Sequence, residues 1–350
     1  MKRLLILLLT VGLVLPAGAQ DFSEEEIGHI MQAYELSDSG KEDEAIAIYD
    51  ELLKTYPKSS LLKYEKAYCY YLKEDFAKAY KLLKPALSAP DAFARMYAVA
   101  GNCLDIQGKS KQALKLYEAG LKKFPDSGDL YLERGTVLVM AGKTWEGVES
   151  YLQGTQVDPE FSSNYYRAAQ ILCPSNEPVM GIICAEAHNL IEPDSPRSLE
   201  LSKALYDAYN ANVHLGQNDT VRTTFTSMHE IGFDPVTNQL SIPFEILFET
   251  YTLKAIDTEA LKAAGHLTIS EISAIRRRFL EDFFADGKNE KYMHPVYDFQ
   301  KRVLAAGHWD AYNMWLMREG DREELSAWLA ENEAASEAFL DWISSDIYEE

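Results

Sequence analysis

Three prolines, Pro125, Pro159 and Pro193, stand 34 residues apart, and this spacing limits the folds open to the chain more than any other feature. Pro57 lies two further periods back, and the intermediate place is missed by one residue, at Pro90. Proline cannot occupy a helix interior, so a proline at fixed period marks a recurring helix end. Within the period that closes at Pro125, the apolar and small residues are Tyr97, Ala100, Gly101, Leu104, Gly108, Ala113, Tyr117 and Leu121. Two helices joined by a tight turn at Gly108 account for the whole set. Tyr97, Ala100, Gly101 and Leu104 share one face at three- and four-residue steps, Gly101 and Ala113 let the helices approach, and Tyr117 fills the wider part of the wedge.

The pattern recurs in register. Residues 26–59 supply Ala33, Gly40, Ala45, Tyr49 and Pro57; residues 60–93 supply Ala67, Tyr70, Phe76, Ala79, Ala86 and Pro90. Residues 128–161 supply Tyr131, Gly135, Leu138, Gly142, Tyr151 and Pro159, and residues 162–195 supply Tyr165, Ala169, Leu172, Gly181 and Pro193, with the turn recast as Pro174-Ser175-Asn176-Glu177-Pro178. This resembles the tetratricopeptide repeat, in which an aromatic, Leu-Gly and an aromatic mark the first helix, and Ala, an aromatic and Pro the second. The resemblance implies an all-α, right-handed helical solenoid of five to six helix-turn-helix repeats. Gly147 and Gly154 stand where that family prefers alanine, which should weaken their helix by roughly 1 kcal/mol per residue. A sixth, capping unit is expected from a first helix over 199–214, then Gly216, then Val221, Phe225 and Met228 on a second helix.

Beyond about Pro243 the period is lost. A separate C-terminal α-helical subdomain is expected, with helices over 244–251, 268–285, 296–306, 309–318, 321–330 and 333–343. Ser270 and Glu271 are read as a helix start, Gly287 as a stop, and Gly320-Asp321 as the end of one helix and the cap of the next. The expected domains are a signal peptide over 1–19, the repeat array over 20–235 and the subdomain over 236–350. No convincing strand is legible. Four of the five tryptophans, Trp309, Trp315, Trp328 and Trp342, fall in the last stretch; core packing explains them, and a contact surface is the sharper alternative.

Met1-Lys2-Arg3, the 12-residue apolar run from Leu4 to Leu15 and Ala17-Gly18-Ala19 have the layout of a secretory leader cut after Ala19. The run is too short to span a bilayer, so an exported chain, periplasmic or extracellular, without membrane insertion after cleavage is expected. The formal net charge is −21, and two units more negative without Lys2 and Arg3, which argues against nucleic acid as a partner. Arg276-Arg277-Arg278, flanked by Glu271, Glu281 and Asp282, reads as a solvated helix face with ion pairs. Cys69 and Cys103 occupy equivalent places on successive first helices, about 8–10 Å apart, too far for a bond without backbone movement; they read as small buried hydrophobes. Cys173 and Cys184 flank one turn, and a bridge there stays open.

Chemistry is harder to find. The seven histidines form no His-x-x-x-His pair, and there is no phosphate loop, Gly-x-Ser-x-Gly elbow or dinucleotide fingerprint. No catalysis, metal or cofactor is therefore expected. The alternative, a small-molecule-binding or hydrolytic module in the C-terminal subdomain with the array as docking arm, would require a polar pocket among His294, His308, Trp309 and Asp310. The resemblance implies instead that a peptide or protein partner lies along the first helices, on residues the periodic packing leaves free. These are Ile30 and Tyr34, then Tyr64, Tyr68 and Tyr71, then Asn102 and Asp105, then Thr136, then Tyr166 and Gln170. The partner-binding set is Tyr34, Tyr64, Tyr68, Tyr71, Asn102, Asp105, Tyr166 and Gln170, a tyrosine-rich face suited to apolar contact with hydrogen bonding at the phenol rim. Filling space between helices is the competing role, equally weighted for Tyr68. Family members that grip a C-terminal carboxylate use lysine, arginine and asparagine where this chain has Ile30, Tyr34, Tyr64 and Tyr68, so capture of chaperone tails is not expected.

Overall fold

The computed structural model describes residues 22–227, 232–234 and 239–348, so the expected leader lies outside the described residues. The chain divides into two compact units, one up to Asn164 and one from Tyr165. The array-to-subdomain boundary expected at 235/236 falls outside the described residues.

The first unit is built from four helix hairpins: α1 (Glu24–Asp38) with α2 (Glu42–Thr55), α3 (Ser60–Leu72) with α4 (Phe76–Ala86), α5 (Ala94–Ile106) with α6 (Ser110–Leu121), and α7 (Gly128–Met140) with α8 (Thr144–Val157). Each turn passes through one residue in the left-handed region, at Gly40, Glu74, Gly108 and Gly142, again 34 apart. Three are glycines, which adopt that conformation freely; Glu74 at φ 59 does so against its Cβ.

The packing repeats with the same period. Ala33, Ala67, Gly101 and Gly135 on the first helices face Tyr49, Leu83, Tyr117 and Tyr151 on the second, and all four larger side chains are buried. A Cβ on Gly101 would collide with the Tyr117 ring, and one on Gly135 would lie 2.5 Å from Tyr151 Cε1. The phenols are anchored as well: Tyr117 donates to Asn102 Oδ1 at 2.5 Å and Tyr151 to Thr136 Oγ1 at 3.2 Å. Gly147 has a different role from the one its helix propensity indicates. Its Cβ would sit 2.5 Å from Val139 Cγ2 and 2.8 Å from the Gly135 carbonyl, so the two glycines let the α7 and α8 backbones touch. Neighbouring hairpins are stitched by polar contacts: Ser60 donates its N–H and hydroxyl to Asp91 at 2.9 and 2.6 Å, and Asn164 donates to the Gly128 carbonyl at 2.9 Å.

The second unit contains α9 (Ser162–Leu172), shared at its start with the first, α10 (Val179–Ile191) and α11 (Pro196–Asn212). Here the sequence reading needs correction. In place of the second helix of a sixth repeat, β1 (Val213–Leu215) pairs antiparallel with β2 (Val221–Thr223), His214 opposite Arg222. Asn218 and Asp219 take left-handed conformations at the turn, and Val213, Val221 and Thr223 are the β-branched residues of the strands. Phe225 is buried, stacked edge-on to Tyr209 and Phe248, while Met228 lies outside the described residues. A second antiparallel pair, β3 (Gly232–Asp234) and β4 (Gln239–Ser241), was likewise not legible.

The helices that follow are α12 (Phe244–Ala255), α13 (Thr258–Ala264), α14 (Ile269–Ala285), α15 (Asn289–Tyr292), α16 (Pro295–Ala305), α17 (Trp309–Leu316) and α18 (Arg322–Tyr348). α14 starts at a capping box, Glu271 N to Thr268 Oγ1 and Thr268 N to Glu271 Oε2, rather than at Ser270. The helices expected over 321–330 and 333–343 are both present as the two halves of α18, separated by non-helical backbone at Asn332 (φ −130, ψ 30), with Asp321 accepting from Glu323 and Glu324 at the start. The core of this unit is aromatic: Phe279 stacks on Phe283 at 5.5 Å, and Phe248 and Tyr297 close on Phe279 at 5.1 and 5.6 Å. All four cysteines are free and buried, and burial pushes the Cys184 thiol up to about 12.

Candidate functional site

The strongest candidate is a face of α3. Tyr64, Tyr68 and Tyr71 follow one another at four and three residues, which places them on one side of a helix. Tyr64 and Tyr68 stack with centroids 6.0 Å apart and planes 19° from parallel; Tyr68 and Tyr71 stack at 6.0 Å and 5°. Phe93 and Phe76 close the two ends of this ladder edge-on, at 5.0 Å from Tyr64 and 5.3 Å from Tyr71. The three rings are not equivalent. Tyr64 is buried and belongs to the core, whereas Tyr68 and Tyr71 pack against that core and are half-buried.

Charged groups frame the ladder. Arg95, on α5, lies beside the Tyr64 hydroxyl and 3.9 Å from Asp129. Glu65 follows Tyr64 on α3; burial pushes its carboxyl up to about 7, with Arg95 opposing the shift. Burial likewise raises the Tyr71 hydroxyl, reinforced by Glu133 of α7. A half-buried aromatic surface edged by carboxylates with one arginine among them can take apolar side chains and hydrogen-bond donors.

The other expected residues are distributed as follows. Tyr34 on α1 is 41% exposed. Asn102 and Asp105 on α5 are half-buried, but Asn102 is held by Tyr117 and Thr136 by Tyr151, so both are partly occupied within the repeat. Tyr166 and Gln170 belong to the second unit, where both bind Glu200: Tyr166 donates to its Oε2 at 2.6 Å, Gln170 to its Oε1 at 2.9 Å and to the Tyr166 hydroxyl at 2.8 Å. The Tyr166 and Gln170 bonds hold the Glu200 carboxyl below its ordinary range, and Arg197 stacks on the Tyr166 ring at 5.2 Å. The structure thus brings Tyr64, Tyr68 and Tyr71 together, adds Glu65, Arg95 and Glu133 to them, and places Tyr166 and Gln170 in a network of their own.

His294, His308, Trp309 and Asp310 do not converge. His294 accepts from Val296 N at the start of α16, and burial lowers its pKa. His308 packs on Trp342, Trp309 is buried and donates to the Ser273 carbonyl at 2.9 Å, and Asp310 binds Ser273 and Arg277 at 3.0 Å. Among the described residues no group of three or more His, Cys, Asp or Glu side chains is placed to hold a metal ion.

One polar cluster escaped the sequence reading. Arg276 is not on a solvated face: it and Glu186 of α10 are 3% and 2% exposed and pair at 2.6 Å. Gln300 donates to the same carboxylate at 2.8 Å, and the Tyr312 hydroxyl donates to it as well. The signal was available in α10, where Glu186 is the only acidic residue in a largely apolar stretch and so needs a buried partner. The cavity beside the cluster measures about 10 Å³, room for a water molecule rather than a substrate, which marks the cluster as structural.

The first unit therefore carries the 34-residue helical-hairpin repeat in its backbone turns as well as its packing. A family model described as "Anaphase-promoting complex, cyclosome, subunit 3" matches residues 38–120. Among solved structures, the chain is similar to "YrrB: a TPR protein with an unusual peptide-binding site" (21% identity, TM-score 0.36, covering 51% of this chain and 94% of that one). It is also similar to TTC0263, a thermophilic TPR protein of Thermus thermophilus (16%, TM-score 0.44, 51% and 98%), and to MamA from Desulfovibrio magneticus RS-1 (15%, TM-score 0.39, 50% and 99%). No curated protein matches.

Proposed function

We propose that the chain is an exported interaction scaffold, without catalysis of its own, that binds a peptide or protein segment along the tyrosine face of α3 and the neighbouring first helices. The observation that carries this reading is the Tyr68–Tyr71 stack. Two aromatic rings are held parallel against the core of the repeat yet left half-buried, with Tyr34 exposed on α1. Stacking limits their motion, so a ligand segment meets a surface already ordered, and little side-chain entropy remains to be lost. The family resemblance in the repeat supports the same face as the binding surface.

The test is to select binders from a displayed random-peptide library on residues 22–350 and measure them against a Tyr34→Ala/Tyr68→Ala/Tyr71→Ala variant that keeps Tyr64. Binders weakened at least about tenfold, in a variant with unchanged helical content, support the assignment. Undiminished binding sinks it. Export rests on the leader alone, and mass spectrometry of the protein from its producing cells should find Gln20 as the first residue; an intact Met1-Lys2-Arg3 in the mature protein contradicts it.

A further inference from the structure

A second surface, in the C-terminal unit, has no role in the reading above. α18 bends at Asn332, whose side chain donates to the Trp328 carbonyl at 2.9 Å. After the bend, Phe339 and Trp342 lie against His308, and Phe339 also against Tyr312, which fixes the second half of the helix. Between the two halves lies a half-open cavity of about 130 Å³ floored by Ala311, Met314 and Trp315 and walled by Trp328, Leu329 and Leu340. It runs on into a shallower groove bordered by Glu333 and Glu337. Leu329 and Leu340 are 38% and 45% exposed. Arg318, at the rim, is already committed: it donates to the Trp315 and Pro193 carbonyls and stacks on the Trp315 ring.

We propose that this cleft docks a basic amphipathic helix of a partner protein, which seats one leucine-sized side chain between Trp315, Trp328 and Leu340. The pocket dimensions set the anchor, and charge sets the flanks. From Glu323 to the chain end the sequence holds nine acidic residues and no lysine, arginine or histidine. An apolar slot bordered by the Glu333 and Glu337 carboxylates, whose lining cation Arg318 is turned to the Trp315 and Pro193 carbonyls, favours a ligand with lysine or arginine beside its apolar stripe and disfavours an acidic one. A helix suits the slot because its apolar residues recur on one face while its cations project toward both borders.

The probe is a synthetic Lys/Leu amphipathic helical peptide, with a Glu/Leu peptide of the same pattern as control, titrated calorimetrically into the full chain. The Lys/Leu peptide should bind and the control should not. Leu329→Asp, at an exposed position, should weaken binding at least about tenfold without changing the melting temperature. Glu333→Lys/Glu337→Lys should remove most of the salt dependence while leaving the fold intact. The proposal fails if both peptides bind alike, if neither binds, or if affinity survives Leu329→Asp. It also fails if the chain is a dimer that Leu329→Asp dissociates, because the occupant is then a second copy. Since the tyrosine face of α3 is untouched in these variants, failure here leaves the proposed function standing.

Discussion

Glu65 offers a quantitative handle on the tyrosine face. Its carboxyl is pushed from an ordinary 4.5 up to about 7, first by burial and against the pull of Arg95. A displacement of that size corresponds to roughly 3 kcal/mol of proton-linked free energy at about 1.4 kcal/mol per pKa unit. Glu65 keeps partial contact with solvent, which brings the expected effect to about 2 kcal/mol. The sign follows from proton uptake: between pH 4.5 and 7 the native state holds a proton that the unfolded chain has released. Stability from this group is therefore complete below 4.5 and is lost as pH rises through 7. Glu65→Gln removes the titration and keeps the shape. In urea unfolding, the variant and the parent should be equally stable at about pH 4, and the variant should be more stable by about 2 kcal/mol at about pH 8.5. Taking the difference between the two proteins cancels the other titrating groups they share. A difference that does not change with pH refutes the burial argument, and a variant that is less stable at high pH shows that the electrostatic pull of Arg95 outweighs burial.

Three further outcomes follow from packing and backbone geometry. Glu74→Gly should stabilise the first unit by about 1 kcal/mol in urea unfolding, because it relieves a left-handed glutamate at the place where Gly40, Gly108 and Gly142 stand in the other hairpins. Gly101→Ala should cost about 2–3 kcal/mol in the same assay, since the added methyl meets a Tyr117 ring that is fully buried and pinned by Asn102. Arg276→Met should cost about 3–5 kcal/mol by leaving Glu186 charged and unpaired, and adding Glu186→Leu should recover most of that loss in thermal or urea unfolding.

The repeat was legible because its constraints are local and periodic. Small residues at 33, 67, 101 and 135 and large ones at 49, 83, 117 and 151 can be counted without knowing the fold. Legibility ended where a residue acts against its type. Glu74 adopts a turn conformation that its chemistry disfavours, so no glycine announced it. Val221 and Phe225 are spaced like one face of a helix, yet the left-handed pair Asn218-Asp219 and the adjoining β-branched residues give a hairpin. Arg276 shares a helix with Arg277, which is 40% exposed, and only its long-range partner Glu186, 90 residues away, distinguishes the two. The tyrosine ladder was found by subtracting the packing set, but that subtraction could not separate the buried Tyr64 from the half-buried Tyr68 and Tyr71, because burial on α3 depends on Phe93 and Phe76 arriving from other segments.

The most direct test of the scaffold reading is amide hydrogen exchange on the full chain, with and without a peptide selected on it. Slower exchange is expected to concentrate in α3 and α5, residues 60–72 and 94–106, with the second unit little changed. Protection confined to residues 244–348, with α3 and α5 exchanging as in the free chain, would contradict it.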